Sequence, residues 1–233
     1  MTQNNTLKTL VETVVDTILT EVEFASQTQA PLSVLVDSDG VMADFDGAVG
    51  QDPMVQKTRE EFRKVIANFP DFANLTDDDL KKRLAGPQPD PGMRALKKAW
   101  QEYRNHKFRV AGNTGFFLNL PILPGAREML SKIAELTGKR PSILTAPIET
   151  NKEQCEEEKR AWFEKNMAGL YDQFICDSNK FKYANPNTLL IDDRSKYTVP
   201  FENAGGMVIL HKNPQDTLAK LEQVILARQN RQV

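Results

Sequence analysis

One short stretch constrains the fold of this chain more than any other: Val34-Leu35-Val36-Asp37-Ser38-Asp39-Gly40. A brief apolar run rich in β-branched residues marks a buried strand. It runs straight into two acids spaced i, i+2, which an extended backbone places on one face. Carboxylates held that close repel each other and raise each other's pKa. A cation or a catalytic role accounts for their presence; the plainer alternative is an acidic turn that caps the following helix.

The rest of the chain supplies a setting for that strand. Ser142–Thr145, Phe174–Cys176, Thr188–Asp193 and Gly206–Leu210 are further short apolar runs, and helical patterns lie between them. Pro124 is placed as a first helical residue with Gly138 closing that helix, a charged helix covers 151–169, and Asn213-Pro214 starts a last helix to about residue 228. Strands alternating with helices argue for an α/β fold with a parallel sheet covered on both faces. Residues 46–115 break the alternation. Gly40, Gly47 and Gly50 suit an irregular excursion, after which helices are expected over 53–70, from Thr76 and over 93–105. Bases exceed acids by three in this segment, 13 Lys and Arg against 10 Asp and Glu. At the N-terminus, Leu7, Val11, Val14, Ile18 and Val22 recur at helical spacing, followed by a polar linker to Pro31. That helix either packs on the host domain or forms a homodimer contact. The expected organisation is an N-terminal helix and linker over 1–30, an α/β core over 31–45 and 116–233, and a helical insert over 46–115.

Several classes of function are disfavoured. A net charge of −2 provides no global field to recruit polymeric nucleic acid or an anionic membrane. No apolar run approaches the ~18 residues of a membrane span, and Met1–Asn5 lacks the basic flank and apolar block of a signal peptide. The two cysteines, Cys155 and Cys176, form no close metal pair and suit a reducing compartment. The cytoplasm is the expected location.

In an open parallel sheet, ligands bind beyond the carboxyl ends of the strands. Three strands end there in polar groups: Asp37 with Asp39, Thr145, and Asp192 with Asp193. Such a cluster of carboxylates needs neutralising, and an oxygen-only donor set favours a hard cation, Mg²⁺ above all. That ion would also admit a phosphate to an acidic site. Thr145 could donate to a phosphate oxygen, and Lys180 or Lys182 could neutralise a phosphoryl group in transfer.

Asp37-Ser38-Asp39-Gly40-Val41, Ile143-Leu144-Thr145-Ala146, Lys180 and Leu190-Ile191-Asp192-Asp193-Arg194 resemble, in order, the four motifs of the haloacid dehalogenase superfamily. The string Asp37–Phe45, the segment Phe116–Ala126 and the run Glu158–Lys165 are similar to the 5′(3′)-deoxyribonucleotidases. The resemblance spans roughly 32–210. It implies a Rossmann-like core with a small helical cap at 46–115, and a Mg²⁺-dependent phosphatase acting on a small phosphomonoester such as a deoxynucleotide. Asp37 would be the nucleophile and Asp39 the acid and base. Asp37, Asp39 (through its main-chain carbonyl), Asp192 and Asp193 would bind the metal. Thr145 and a lysine would hold phosphate oxygens, with Ala146, Lys159 and Lys182 also counted at the substrate. Phe45, Phe116 and Phe117 would stack on a base, although core packing is the alternative for Phe117. Ala146 stands where relatives often carry serine, which leaves only a backbone N–H there. The competing functions are the same chemistry on a DNA 3′-phosphate end or a sugar phosphate, and an inactive binding protein that kept the fold.

Overall fold

The computed structural model of the chain describes residues 30–230. The helix expected over 6–24 lies outside the described residues. Five strands, β1 (Ser33–Val36), β2 (Ser142–Thr145), β3 (Phe174–Cys176), β4 (Thr188–Asp192) and β5 (Met207–Leu210), form one sheet in the order β3-β2-β1-β4-β5. All four pairings are parallel, with Val36 opposite Ile143 on one side and Ile191 on the other. All five strands lie within a residue or two of the runs expected from sequence.

The strands alternate between two cores, as a period-two backbone requires. Val34, Val36, Ile143, Leu189 and Ile191 enter the larger core. It is closed by residues of α5 (Ala126–Thr137), α6 (Lys152–Asn166) and α8 (Pro214–Gln229), among them Leu130, Ile133, Trp162, Phe163 and Leu221. Leu35, Leu144 and Leu190 turn to the opposite face and meet Phe201 of α7 (Ser195–Asn203). Each such aliphatic side chain contributes about 1.5–3 kcal/mol by leaving water. Because β4 is buried along its whole length, Asp192 at its end is carried into a region with no solvent.

Between β1 and β2 the chain builds α1 (Phe45–Val49), α2 (Pro53–Ile66), α3 (Asp77–Arg83) and α4 (Pro91–Ala111). Asp44 caps α1 by accepting the Gly47 N–H at 2.8 Å, so the excursion expected after Gly40 contains a short helix. Thr76 and Asp79 close a reciprocal capping box at the start of α3. Leu80, Leu84, Leu96 and Trp100 form a core separate from the two sheet faces. α4 is longer than the expected 93–105, because Asp90 caps it with Pro91 in the first turn and the apolar stripe continues through Val110 and Ala111. Other boundaries are corrected: α2 ends at Ile66 and α6 at Asn166, short of the expected 70 and 169, and Pro124 is not helical. Gly125, at φ +78°, is the N-cap of α5, and Pro124 sits in the turn before it. Outgoing and returning chain run side by side, with the Asp44 N–H donating to the Pro121 carbonyl and the Leu123 N–H to the Met42 carbonyl, both at 2.9 Å.

Candidate active site

Strand order places the site. The chain runs from β1 out to β2 and β3 on one side, then crosses back to β4 and β5 on the other side of β1, and such a reversal opens a crevice at the carboxyl ends. The Asp37 N–H donates to the Ile191 carbonyl at 2.9 Å, continuing the β1–β4 ladder by one step and setting Asp37 beside Asp192. A tight turn follows, in which the Gly40 N–H donates to the Ala43 carbonyl at 2.9 Å. Gly40 has φ +78°, and a Cβ on it would collide with the Asp193 carboxylate. Backbone angle and close approach therefore both require glycine here.

Two buried lysines organise the acids, one on each side of the sheet. Lys180, in a 3₁₀ turn after β3, is wholly buried, its ammonium 2.7 Å from Asp37 Oδ1 and 2.6 Å from Asp192 Oδ2. Lys159 of α6 is 2.7 Å from Asp39 Oδ2, and it donates to Thr145 Oγ1 at 3.0 Å and to the Ala146 carbonyl at 2.9 Å. Burial works against both ammonium charges, but the acids they face outweigh it, Asp39 for Lys159 and Asp37 with Asp192 for Lys180, so both stay charged above the ordinary lysine range. Asp39 is raised, chiefly by burial and against the pull of Lys159. Asp193 is pushed up to about 8 by burial, with Asp37 and Asp192 adding to it.

The site is short of positive charge at one corner. Carboxylate oxygens of Asp37, Asp192 and Asp193 lie within 4.8 Å of one another. Asp192 has both oxygens engaged, one by Lys180 and the other by the Arg194 N–H at 2.9 Å. Asp193 Oδ1 and Asp39 Oδ1 are buried with no hydrogen-bond partner, which is costly unless something outside the chain satisfies them. Three hard oxygen donors around an unsatisfied corner fit a divalent cation of the Mg²⁺ type.

A cleft of about 1270 Å³ opens over this cluster, bounded by the sheet rim and by α1, α2, α3 and α4. Asp37, Asp39, Thr145, Ala146, Asp193 and Phe45 line it. The other candidates fall outside its wall. Phe117 is buried in the larger core under the Lys159 ammonium, which lies 5.0 Å from its ring centre. Phe116 packs edge-on against Phe45 with ring centres 5.6 Å apart and does not face the cleft. Lys182 is directed away to Asp177 at 3.3 Å, more than half exposed, because successive residues of the 3₁₀ turn diverge. Of the two lysines, the cluster contains Lys180.

Sequence reasoning missed Glu158 and Tyr197. Glu158 is buried, and it accepts the Gly115 N–H at 2.7 Å and the Phe117 N–H at 3.1 Å, where the chain returns from the helical segment. Its place beside Lys159 in the quoted run was the available signal. Tyr197 of α7 lines the cleft, and its ring lies 4.4 Å from the Lys180 ammonium.

Comparison with known proteins gives the same family as the motifs. The chain is 31% identical over 173 residues to the mitochondrial 5′(3′)-deoxyribonucleotidase of Mus musculus, covering 72% of this chain and 66% of that one. It is 32% identical over 171 residues to the mitochondrial 5′(3′)-deoxyribonucleotidase of Homo sapiens, covering 72% and 64%. The chain is similar to the 5′(3′)-deoxyribonucleotidases. It spans just under two thirds of the length of these deoxyribonucleotidase relatives. No family model matches it. Among solved structures, a haloacid dehalogenase-like family hydrolase from Xanthomonas campestris aligns over 86% of this chain and 99% of that chain, with 10% identity and a TM-score of 0.48.

Proposed function

We propose that this chain is a Mg²⁺-dependent phosphomonoester hydrolase that removes phosphate from deoxynucleoside monophosphates through an aspartyl-phosphate at Asp37. The observation that carries the proposal is the convergence of Asp37, Asp192 and Asp193 within 4.8 Å, beside a separately held Asp39. The deoxyribonucleotidase names of its relatives support the choice of substrate.

In the first step an Asp37 oxygen attacks phosphorus, the bond to the nucleoside oxygen breaks, and Asp39 gives that oxygen a proton. Asp39 is equipped for this, since burial raises its pKa towards the range of a working acid. In the second step the Asp39 carboxylate takes a proton from water, the oxygen of that water attacks phosphorus, and Asp37 is released with inorganic phosphate. Dividing one displacement into two is the gain of covalent catalysis. Lys159 holds Asp39 and Thr145 at fixed spacing. Because Thr145 Oγ1 accepts from Lys159, its own proton remains available for a phosphate oxygen. Lys180 keeps Asp37 in place from the other side. The metal would be held by the side chains of Asp37, Asp192 and Asp193 and the main-chain carbonyl of Asp39, and when bound it supplies positive charge to the phosphoryl oxygens.

The four helices between β1 and β2 serve as a cap that covers substrate and excludes water, and Phe45 offers a face for the base. A cytoplasmic setting suits the two unpaired thiols, Cys155 and Cys176. The test is phosphate release from a panel of deoxynucleoside monophosphates and sugar phosphates, with Mg²⁺ and with a chelator. Release from the nucleotides that needs Mg²⁺ and is lost in Asp37→Asn is the expected result. No release from any nucleotide refutes the proposal.

A further inference from the structure

The cleft is larger than a phosphoryl site needs, and its far wall is positively charged. Pockets that enclose a whole drug-sized ligand run to about 300–1,000 Å³; this one, at about 1270 Å³, exceeds them. Arg59 of α2 and Arg104 and Arg109 of α4 line it opposite the carboxylates.

The pairing of charges on that wall is uneven. Its acids all have a lysine near them, two of them sharing one. Asp46 lies 2.8 Å from the Lys107 ammonium and Asp77 lies 4.0 Å from it, while Glu149 is 2.9 Å from Lys152. None of the three arginines has a carboxylate within 4 Å among the described residues. Arg104 is instead held over aromatic rings, 4.8 Å from the centre of Phe108 and 5.8 Å from that of Trp100. The Arg104 guanidinium has no hydrogen bond or ion pair among the described residues, so its N–H groups are available for bidentate binding of phosphate. Away from the carboxylate corner, the lining cations Arg59, Lys81, Arg104, Lys107 and Arg109 outnumber the lining acids Asp46, Asp77 and Glu149, inside a concave wall that concentrates their field.

We infer that Arg59, Arg104 and Arg109 form a second phosphate subsite, and that the preferred substrate carries another phosphate on the far side of the nucleoside from the one removed. The inference deepens the proposed function and rests on it for the identity of the reacting group. Two sources share this chemistry: a nucleoside 3′,5′-bisphosphate, and the terminal nucleotide of a short phosphorylated DNA strand.

The experiment measures binding, so that it is independent of turnover. Dissociation constants of a deoxynucleoside 5′-monophosphate, the matching 3′,5′-bisphosphate and a 3′-phosphorylated tetranucleotide are compared for the full chain and for the triple variant Arg59→Gln, Arg104→Gln, Arg109→Gln, whose folding is checked by thermal unfolding. The unmodified chain should bind the bisphosphate or the tetranucleotide about tenfold tighter than the monophosphate, the effect of roughly one charge-assisted contact. Added salt should shrink that ratio, and the triple variant should bring it close to one. Preference for the bisphosphate identifies the small molecule, and preference for the tetranucleotide identifies the strand end. Equal affinities in the unmodified chain, or a preference that the triple variant keeps, overturns the inference. Phosphate release from phenyl phosphate, which has no distal group, reports separately on the proposed chemistry.

Discussion

Replacing Glu158 with glutamine should loosen the joint where the chain returns from the helical segment. Glu158 Oε1 accepts from the Gly115 N–H at 2.7 Å and from Gln154 Nε2 at 2.8 Å, while Oε2 accepts from the Phe117 N–H at 3.1 Å. A carboxylate serves both backbone donors, but an amide has one acceptor and turns an N–H₂ towards the other. Whichever way the glutamine is oriented, one buried backbone N–H loses its partner. The loss of such a partner costs about 1–3 kcal/mol. For a domain of this size that is roughly a 2–4 °C fall in Tm per kcal/mol, or about 2–12 °C in all. The assay is thermal unfolding of both proteins at neutral pH, followed by calorimetry. A Tm within 1 °C of the unmodified chain would refute the reasoning, since it would mean that solvent or another acceptor serves these N–H groups as well as Glu158 does.

Other consequences follow from the same geometry. Asp39→Asn removes the proposed acid and base and leaves the buried Lys159 ammonium without its carboxylate at 2.7 Å; phosphate release on the same nucleotide panel should fall by about 10²–10⁴-fold, and Tm should fall as well. Cys176 is pushed up to about 12 by burial, and Cys155 is raised for the same reason, so both thiols should react with a thiol reagent at pH 8 far more slowly in the folded protein than in denaturant. His211 is buried, with Nδ1 2.8 Å from Thr217 Oγ1, and burial lowers its pKa below the usual 6.5. The unfolded chain therefore binds the proton first, and the stability that neutral His211 contributes is present above about pH 6.5 and lost as pH falls towards its lowered value. The Tm gap between the unmodified chain and His211→Gln should narrow below pH 6.

Much of this architecture was legible in the sequence because its three central strands, β2, β1 and β4, are short, apolar and buried on both faces. The runs Val34–Val36, Ile143–Leu144 and Leu189–Ile191 could hardly be anything else, and their polar endings marked the rim where Asp37, Thr145 and Asp192 gather. Elements set by local backbone geometry were read less well. Proline before a helix suggested that Pro124 opens α5, but the left-handed Gly125 intervenes. α4 was cut short because His106 and Lys107 interrupt its stripe, although Phe108, Val110 and Ala111 resume it. Choices between neighbouring side chains were beyond linear spacing. The following Tyr183-Ala184 favours Lys180, but spacing to Asp192 also allows Lys182, because which of them points inward depends on the 3₁₀ turn. The bridge from Lys159 to Asp39 joins residues 120 positions apart, and the three arginines of the outer cleft come together only when the helices fold over the sheet.

The most direct test of the central claim is to follow the phosphoryl group itself. The chain is mixed with a deoxynucleoside monophosphate carrying labelled phosphate and Mg²⁺, quenched in acid within one turnover, digested and mapped. Label on the peptide that contains Asp37, absent from Asp37→Asn, is the expected result. Label on a different side chain, or full release of labelled phosphate with no labelled protein at any time point and undiminished turnover in Asp37→Asn, would contradict it.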